Sequence, residues 1–116
     1  VIPSLKGKLD GSAIRVPVTT GSVIDLTLQL NTKVTKEQIN EAFKQNANET
    51  LGYTTDPIVS SDIIGDTHGG VVDSLLTSVL ETENGDLVKV VAWYDNEMSY
   101  SSQMVRTAKY LFKDRM

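Results

Sequence analysis

Apolar and polar residues alternate most cleanly over residues 22–30. Ile24, Leu26, Leu28 and Leu30 fall on one side there, and Asp25, Thr27 and Gln29 on the other. A period of two predicts a half-buried β-strand. A shorter strand is expected before it over residues 14–18, where Ile14, Val16 and Val18 share a face and Arg15 projects from the opposite one. Pro17 has no N–H to give to a ladder, so this strand belongs at an edge, a bulge or a strand end. The Thr20-Gly21 link is too short for a crossover, which predicts antiparallel pairing of the two strands. Residues 57–64 read as a further strand. The valine-rich run 87–94 reads as a buried strand entered from the Asn84-Gly85 turn.

Elsewhere the period changes to that of a helix. Thr35 is placed to cap, Gln38 completes a capping box, and Val34 with Ile39 has the spacing of a hydrophobic staple. Ile39, Ala42, Phe43 and Ala47 supply a stripe to bury, and Gly52 closes the segment. A second helix is predicted over residues 97–115, with Met104, Val105, Ala108, Leu111 and Phe112 along one face. Lys109, Lys113 and Arg115 lie near its C-terminal end, where cations suit the helix dipole. Over residues 71–80, Val72, Leu75, Leu76, Val79 and Leu80 have helical spacing, so periodicity alone favours a helix there. Strands mixed with two helices flanking one side give an α+β layer architecture. No repeat, low-complexity stretch or long linker divides the chain, and one domain or one piece of a domain is expected.

Composition narrows the partners. The 116 residues are 40% hydrophobic and 22% charged, with a formal net charge of −4. That charge argues against nucleic acid or an anionic membrane as the main partner. No run approaches the roughly 18 apolar residues of a spanning helix. With no cysteine, neither a disulfide framework nor a thiolate metal site can form. The chain opens on Val1-Ile2-Pro3, without an initiator methionine or a capping signal, which reads as a boundary inside a longer protein.

Several polar residues could carry chemistry. Arg15, on a strand stiffened by β-branched neighbours, suits bidentate recognition of phosphate or carboxylate. The plainer reading is a solvated or salt-bridged arginine. Asn96 and Asp95 stand where the strand 87–94 gives way to the final helix, and either suits helix capping. Tyr100, about one turn further, could be partly buried with a wet hydroxyl, and Trp93 reads as core. His68, the only histidine, lies in Asp66-Thr67-His68-Gly69-Gly70, the composition of an exposed loop. Without further imidazole or thiolate ligands it does not suggest a metal site. Asp56, Asp62 and Asp66 fall where aspartate commonly makes turns. These residues suggest neither a catalytic group nor a metal.

Read in order, Val1-Ile2-Pro3, Gly7-Lys8-Leu9, Arg15-Val16-Pro17, Gly52-Tyr53-Thr54, Val59-Ser60-Ser61-Asp62 and Trp93-Tyr94-Asp95-Asn96-Glu97 resemble the phosphorylating glyceraldehyde-3-phosphate dehydrogenases, bacterial Gram-positive-type members most of all. The resemblance spans essentially all of residues 1–116, as the C-terminal portion of the catalytic domain including the helix over about 97–115. It implies an α+β fold with a mixed, largely antiparallel sheet and helices on one face. Residues 71–80 are then strand rather than helix, in keeping with a hairpin through Asn84-Gly85.

The resemblance also implies roles. Arg15 matches the arginine that binds substrate or inorganic phosphate, Asn96 the asparagine that bonds the nicotinamide carboxamide of NAD, and Tyr100 the tyrosine near the nicotinamide ring. In the intact family a cysteine, paired with a histidine, attacks the aldehyde of a phosphorylated substrate. Hydride passes to NAD from the thiohemiacetal, and phosphate cleaves the resulting thioester. Nothing in these 116 residues matches that cysteine, that histidine or the NAD-binding Rossmann domain. The isolated chain is therefore expected to be inactive and to bind NAD weakly. Its expected partners are the N-terminal part of the same polypeptide and the other subunits of a homotetramer. The cytoplasm is the expected location, with surface display in some bacteria. An erythrose-4-phosphate dehydrogenase shares the architecture, and a protein-binding module of a surface-displayed dehydrogenase is the reading from a different class.

Overall fold

The computed structural model describes residues 2–113. After a 3₁₀ turn at Pro3–Leu5, the chain forms β1 (Ser22–Gln29), α1 (Lys36–Gln45), β2 (Leu51–Thr54), β3 (Gly70–Asp73), β4 (Ser78–Leu80), β5 (Leu87–Tyr94) and α2 (Met98–Phe112). The five strands make one sheet in the order β1-β5-β3-β2, with β4 also paired to β5. Only β2 and β3 run parallel, and every other pairing is antiparallel. The α+β fold with a largely antiparallel sheet is thus the observed one.

Strand β5 is the hub. Val88, Val90 and Ala92 project to one face, and Lys89, Val91 and Trp93 to the other. On the first face Val88 and Val90 join Val72 of β3 in the buried core, against which Ile39 and Phe43 of α1 pack. Register places Ile24, Leu26 and Leu28 of β1 opposite Ala92, Val90 and Val88, so the alternation of β1 does point at the helix-covered face. Helix α1 does not reach that far: Ile24 is 50% exposed. The second face buries Val71, Val91 and, from the loop before β3, Ile63.

Local signals explain most of these elements. Thr35 Oγ1 accepts the Gln38 N–H while Gln38 Oε1 accepts the Thr35 N–H, the reciprocal box that starts α1. The Asn84-Gly85 hairpin joins β4 to β5, and Gly85 has φ +106°. A side chain at Gly85 would overlap the carbonyl of Leu30, so the β4–β5 turn and the end of β1 are fitted to each other. Asp86, fully buried, braces the same corner: its Oδ2 accepts the Val34 N–H at 2.8 Å and its carbonyl accepts the Leu30 N–H.

Residues 71–80 hold two strands and no helix, as the family resemblance implies and against their helical periodicity. They break into β3 and β4 because Ser74 and Leu76 turn the chain, with Asp73 Oδ1 accepting the Leu75 N–H.

Three expectations fail. Residues 14–18 form no strand, and β1 pairs with β5 instead of with them. The Val18 N–H is spent on Val16 O at 2.9 Å, a tight turn about Pro17 that leaves no ladder donor there. Residues 57–64 also form no strand. Asp62 Oδ2 takes the Val59 N–H, Val59 O takes the Asp62 N–H, and Ile63 O takes the Asp66 N–H, so local turns consume the groups a strand would use. Finally, Gly52 does not end α1, which stops at Gln45, where the Asn46 amide caps Ala42 O. Gly52 lies inside β2, where a Cβ would come within 2.8 Å of Val71 Cγ2 and 3.1 Å of the His68 ring. The expected extension of the last helix to Arg115, and the reading of Val1, lie outside the described residues.

Helix α2 leaves the sheet from the end of β5 and meets the body through Ser99, which is buried, and through Gln103 and Arg106. Arg106 Nη1 donates to Thr67 O at 2.7 Å. Its apolar stripe faces outward: Met104 is 57% exposed and Leu111 66%. The radius of gyration, 16.0 Å, exceeds the about 13 Å of a compact chain of this length. Among the described residues no helix is long and apolar enough to cross a membrane.

Candidate functional site

The junction between β5 and α2 is built on Asp95. This carboxylate is 5% exposed and spans two elements. Its Oδ1 accepts the N–H of Glu97 at 2.9 Å and of Met98 at 2.8 Å, and its Oδ2 accepts the N–H of Gly65 at 2.9 Å. Two otherwise orphaned donors at the start of α2 are thereby satisfied. Donation from Gly65, then from Met98 and Glu97, holds the carboxyl below the usual aspartate range, because each bond favours the charged form. Asp95 therefore does the capping.

That assignment releases Asn96, whose other reading was as a cap. Its Nδ2 donates to Ser22 Oγ at 2.6 Å, and its Oδ1 accepts the Gly21 N–H at 3.1 Å. The side chain is pinned to the start of β1 rather than to its own helix. Next to it, Glu97 Oε2 accepts the Thr20 hydroxyl at 2.9 Å. A cleft of about 620 Å³ opens over this junction. Arg15, Thr20, Ser22, Tyr94, Asn96 and Glu97 line it, together with other residues of the segment before β1. Arg15 reaches the cleft from the irregular segment and not from a strand. No carboxylate among the described residues pairs with it, so its charge and its fork of donors remain available to an anion.

Tyr100 is not part of this cleft. It is 71% exposed and borders a separate apolar groove on α2 with Met104, Ala108 and Leu111. Trp93 is half-buried and donates its Nε1–H to the buried Asp73 at 3.1 Å, a structural use. His68 is half-buried against Gly52 rather than on an exposed loop. Its Nδ1 lies 2.8 Å from Asp66 Oδ1, which also accepts the His68 N–H. These two residues and Asp62 line a second cavity of about 460 Å³ with no lysine or arginine in its lining. Among the described residues no group of His, Asp and Glu is arranged to hold a metal ion.

The sequence pattern brought Arg15 and Asn96 forward but passed over Gly21, Ser22, Thr20 and Glu97. Thr20-Gly21 was legible as a turn. That the turn would hold an amide from far along the chain had no local signature, since the contact is made only through the pairing of Ser22 with Tyr94.

The sequence profile of the glyceraldehyde 3-phosphate dehydrogenase C-terminal domain matches residues 1–96. Similar proteins named glyceraldehyde-3-phosphate dehydrogenase include that of Clostridium pasteurianum, 56% identical over 113 residues. Those of Streptococcus pyogenes and Streptococcus dysgalactiae subsp. equisimilis are 55% identical over the same length. In each case the match covers 97% of this chain and 34% of the relative. The chain thus spans about a third of the length of these curated relatives.

Proposed function

The chain belongs to the glyceraldehyde 3-phosphate dehydrogenase family, matching its C-terminal domain, and from that premise we propose that it is the phosphate- and nicotinamide-recognising part of an NAD-dependent, glycolytic glyceraldehyde-3-phosphate dehydrogenase. The observation that supports this most is that Arg15 and Asn96, distant in sequence, open onto one cleft. Arg15 takes the phosphate of the phosphorylated aldehyde or inorganic phosphate, through an unpaired guanidinium. Asn96 takes the nicotinamide carboxamide. The amide group fits this role by its donor inventory. It has two N–H donors and two lone pairs on oxygen. Ser22 occupies one donor and Gly21 one lone pair, so one of each remains for a carboxamide. Tyr100, four residues beyond Asn96, lies outside this cleft and is left without a cofactor contact in this reading.

NAD, when bound, supplies the hydride acceptor. The residues present orient and bind; these 116 residues contain no cysteine to serve as the family's thiol nucleophile. The catalytic cysteine, its histidine and the Rossmann domain belong to the N-terminal part of the polypeptide. That part, together with the other subunits of a cytoplasmic homotetramer, covers the apolar side of α2 and the open edge of β1. A purified 116-residue chain given glyceraldehyde 3-phosphate, NAD and phosphate should show no NADH formation. In the intact enzyme Arg15→Ala should raise the KM for phosphate about tenfold or more, the loss of a charge-assisted hydrogen bond. Arg15→Lys should recover only part, lacking the planar fork. Turnover by the isolated chain, or an unchanged phosphate KM in Arg15→Ala, would refute the assignment.

A further inference from the structure

The two bonds that hold Asn96 are not equivalent. A backbone N–H can only donate, so the side-chain atom that Gly21 N–H meets at 3.1 Å must be the amide oxygen. The amide nitrogen is thereby aimed at Ser22 Oγ, 2.6 Å away. Turning the amide over would set NH₂ against N–H. Gly21 is closely packed. It has φ +98°, and a Cβ there would lie 2.9 Å from Ser60 O and 3.4 Å from Ile63 Cγ2. The loop carrying the buried Ile63 therefore lies close against Gly21, with no room there for a side chain. The same loop donates Gly65 N–H to Asp95, so both neighbours at the β5–α2 junction are registered against it.

We propose that Ser22 is a positioning residue: its hydroxyl anchors the Asn96 amide in the orientation that the Gly21 N–H selects, and so fixes how a nicotinamide carboxamide is held. The proposal rests on the reading of Asn96 as the carboxamide contact and goes beyond it. Ser22 touches no reacting atom; it acts through Asn96.

The test uses the intact enzyme and compares the dissociation constants of NAD and of ADP-ribose, which lacks the nicotinamide. Ser22→Ala should weaken NAD about fivefold, the size of one neutral hydrogen bond, and leave ADP-ribose unchanged. Ser22→Thr, which keeps the hydroxyl, should restore NAD binding to within about twofold of the parent. Where alanine impairs folding, Ser22→Cys keeps the shape with a poor acceptor and should give the same split. In an Asn96→Ala background Ser22→Ala should add nothing. If Ser22→Ala weakens both ligands alike, or neither, while Asn96→Ala removes the advantage of NAD over ADP-ribose, the positioning role is overturned and the Asn96 reading stands. If Asn96→Ala leaves both constants unchanged, that reading falls and this proposal with it.

Discussion

Helix α1 turns Ile39 and Phe43 onto the sheet, where they pack against Val72, Val88 and Val90. Helix α2 turns Ser99, Gln103 and Arg106 to the body and leaves Met104, Val105 and Leu111 in solvent. Both sequences carry an apolar stripe at helical spacing, and both make helices. The difference lies in what surrounds them. Val34 packs on the core and its N–H donates to Asp86, which lays α1 across the sheet. Asp95 fixes only the first turn of α2, and Arg106 reaches back to Thr67. A periodic stripe therefore specifies that a helix forms; its burial depends on whether a counterpart lies within these residues.

The comparison can be broken by paired truncations. In the 116-residue chain, Phe43→Ala should cost about 2 kcal/mol, less than a fully buried phenylalanine because Phe43 is half-buried. Leu111→Ala should cost less than about 0.5 kcal/mol, as an exposed substitution. In the intact enzyme Leu111→Ala should rise to about 2 kcal/mol, as expected of a covered leucine. Urea unfolding measures both, and equal costs in the isolated chain would remove the distinction. A smaller effect tests the caps. Thr35→Ala removes the reciprocal box of α1 and should cost about 1 kcal/mol, without altering hydrogen exchange in α2. Exchange itself should separate the regions, with amides of β5 protected and those of the last two turns of α2 exchanging fast.

The smallest effect is one of pH. The folded-state pKa of Asp95 is depressed, so its contribution to stability is fully present above the unfolded value of about 3.9. It is lost as pH falls through the lower, folded value. The start of α2 should therefore be unchanged from pH 7 to about 5 and loosen below about 4, as residue-resolved exchange would report. Asp95→Asn should abolish that acid dependence; its persistence would move the cause elsewhere.

How far this was readable beforehand depends on the range of the interaction. Thr35, Gln38 and Val34 act within one turn, and α1 was legible to its first residue. The valine run of β5 was legible because both of its faces are buried, and the Asn84-Gly85 turn because its chemistry is local. Residues 14–18 and 57–64 have the composition of strands. There, local acceptors, the Val16 carbonyl and the Asp62 carboxylate, win over a ladder that has no partner strand. Residues 71–80 needed the family pattern, since their spacing points to a helix. At the cleft, Arg15 and Asn96 could be nominated from their motifs. That Asn96 is not the cap required seeing Asp95 take the cap and Gly21-Ser22 take the amide.

The most direct test of the account is a crystal structure of the intact enzyme with NAD and inorganic phosphate. The nicotinamide carboxamide should lie about 3 Å from the Asn96 amide and a phosphate about 3 Å from the Arg15 guanidinium, in one continuous cleft. A nicotinamide or a phosphate bound away from these two side chains, with Arg15 and Asn96 facing solvent or each other, would contradict it.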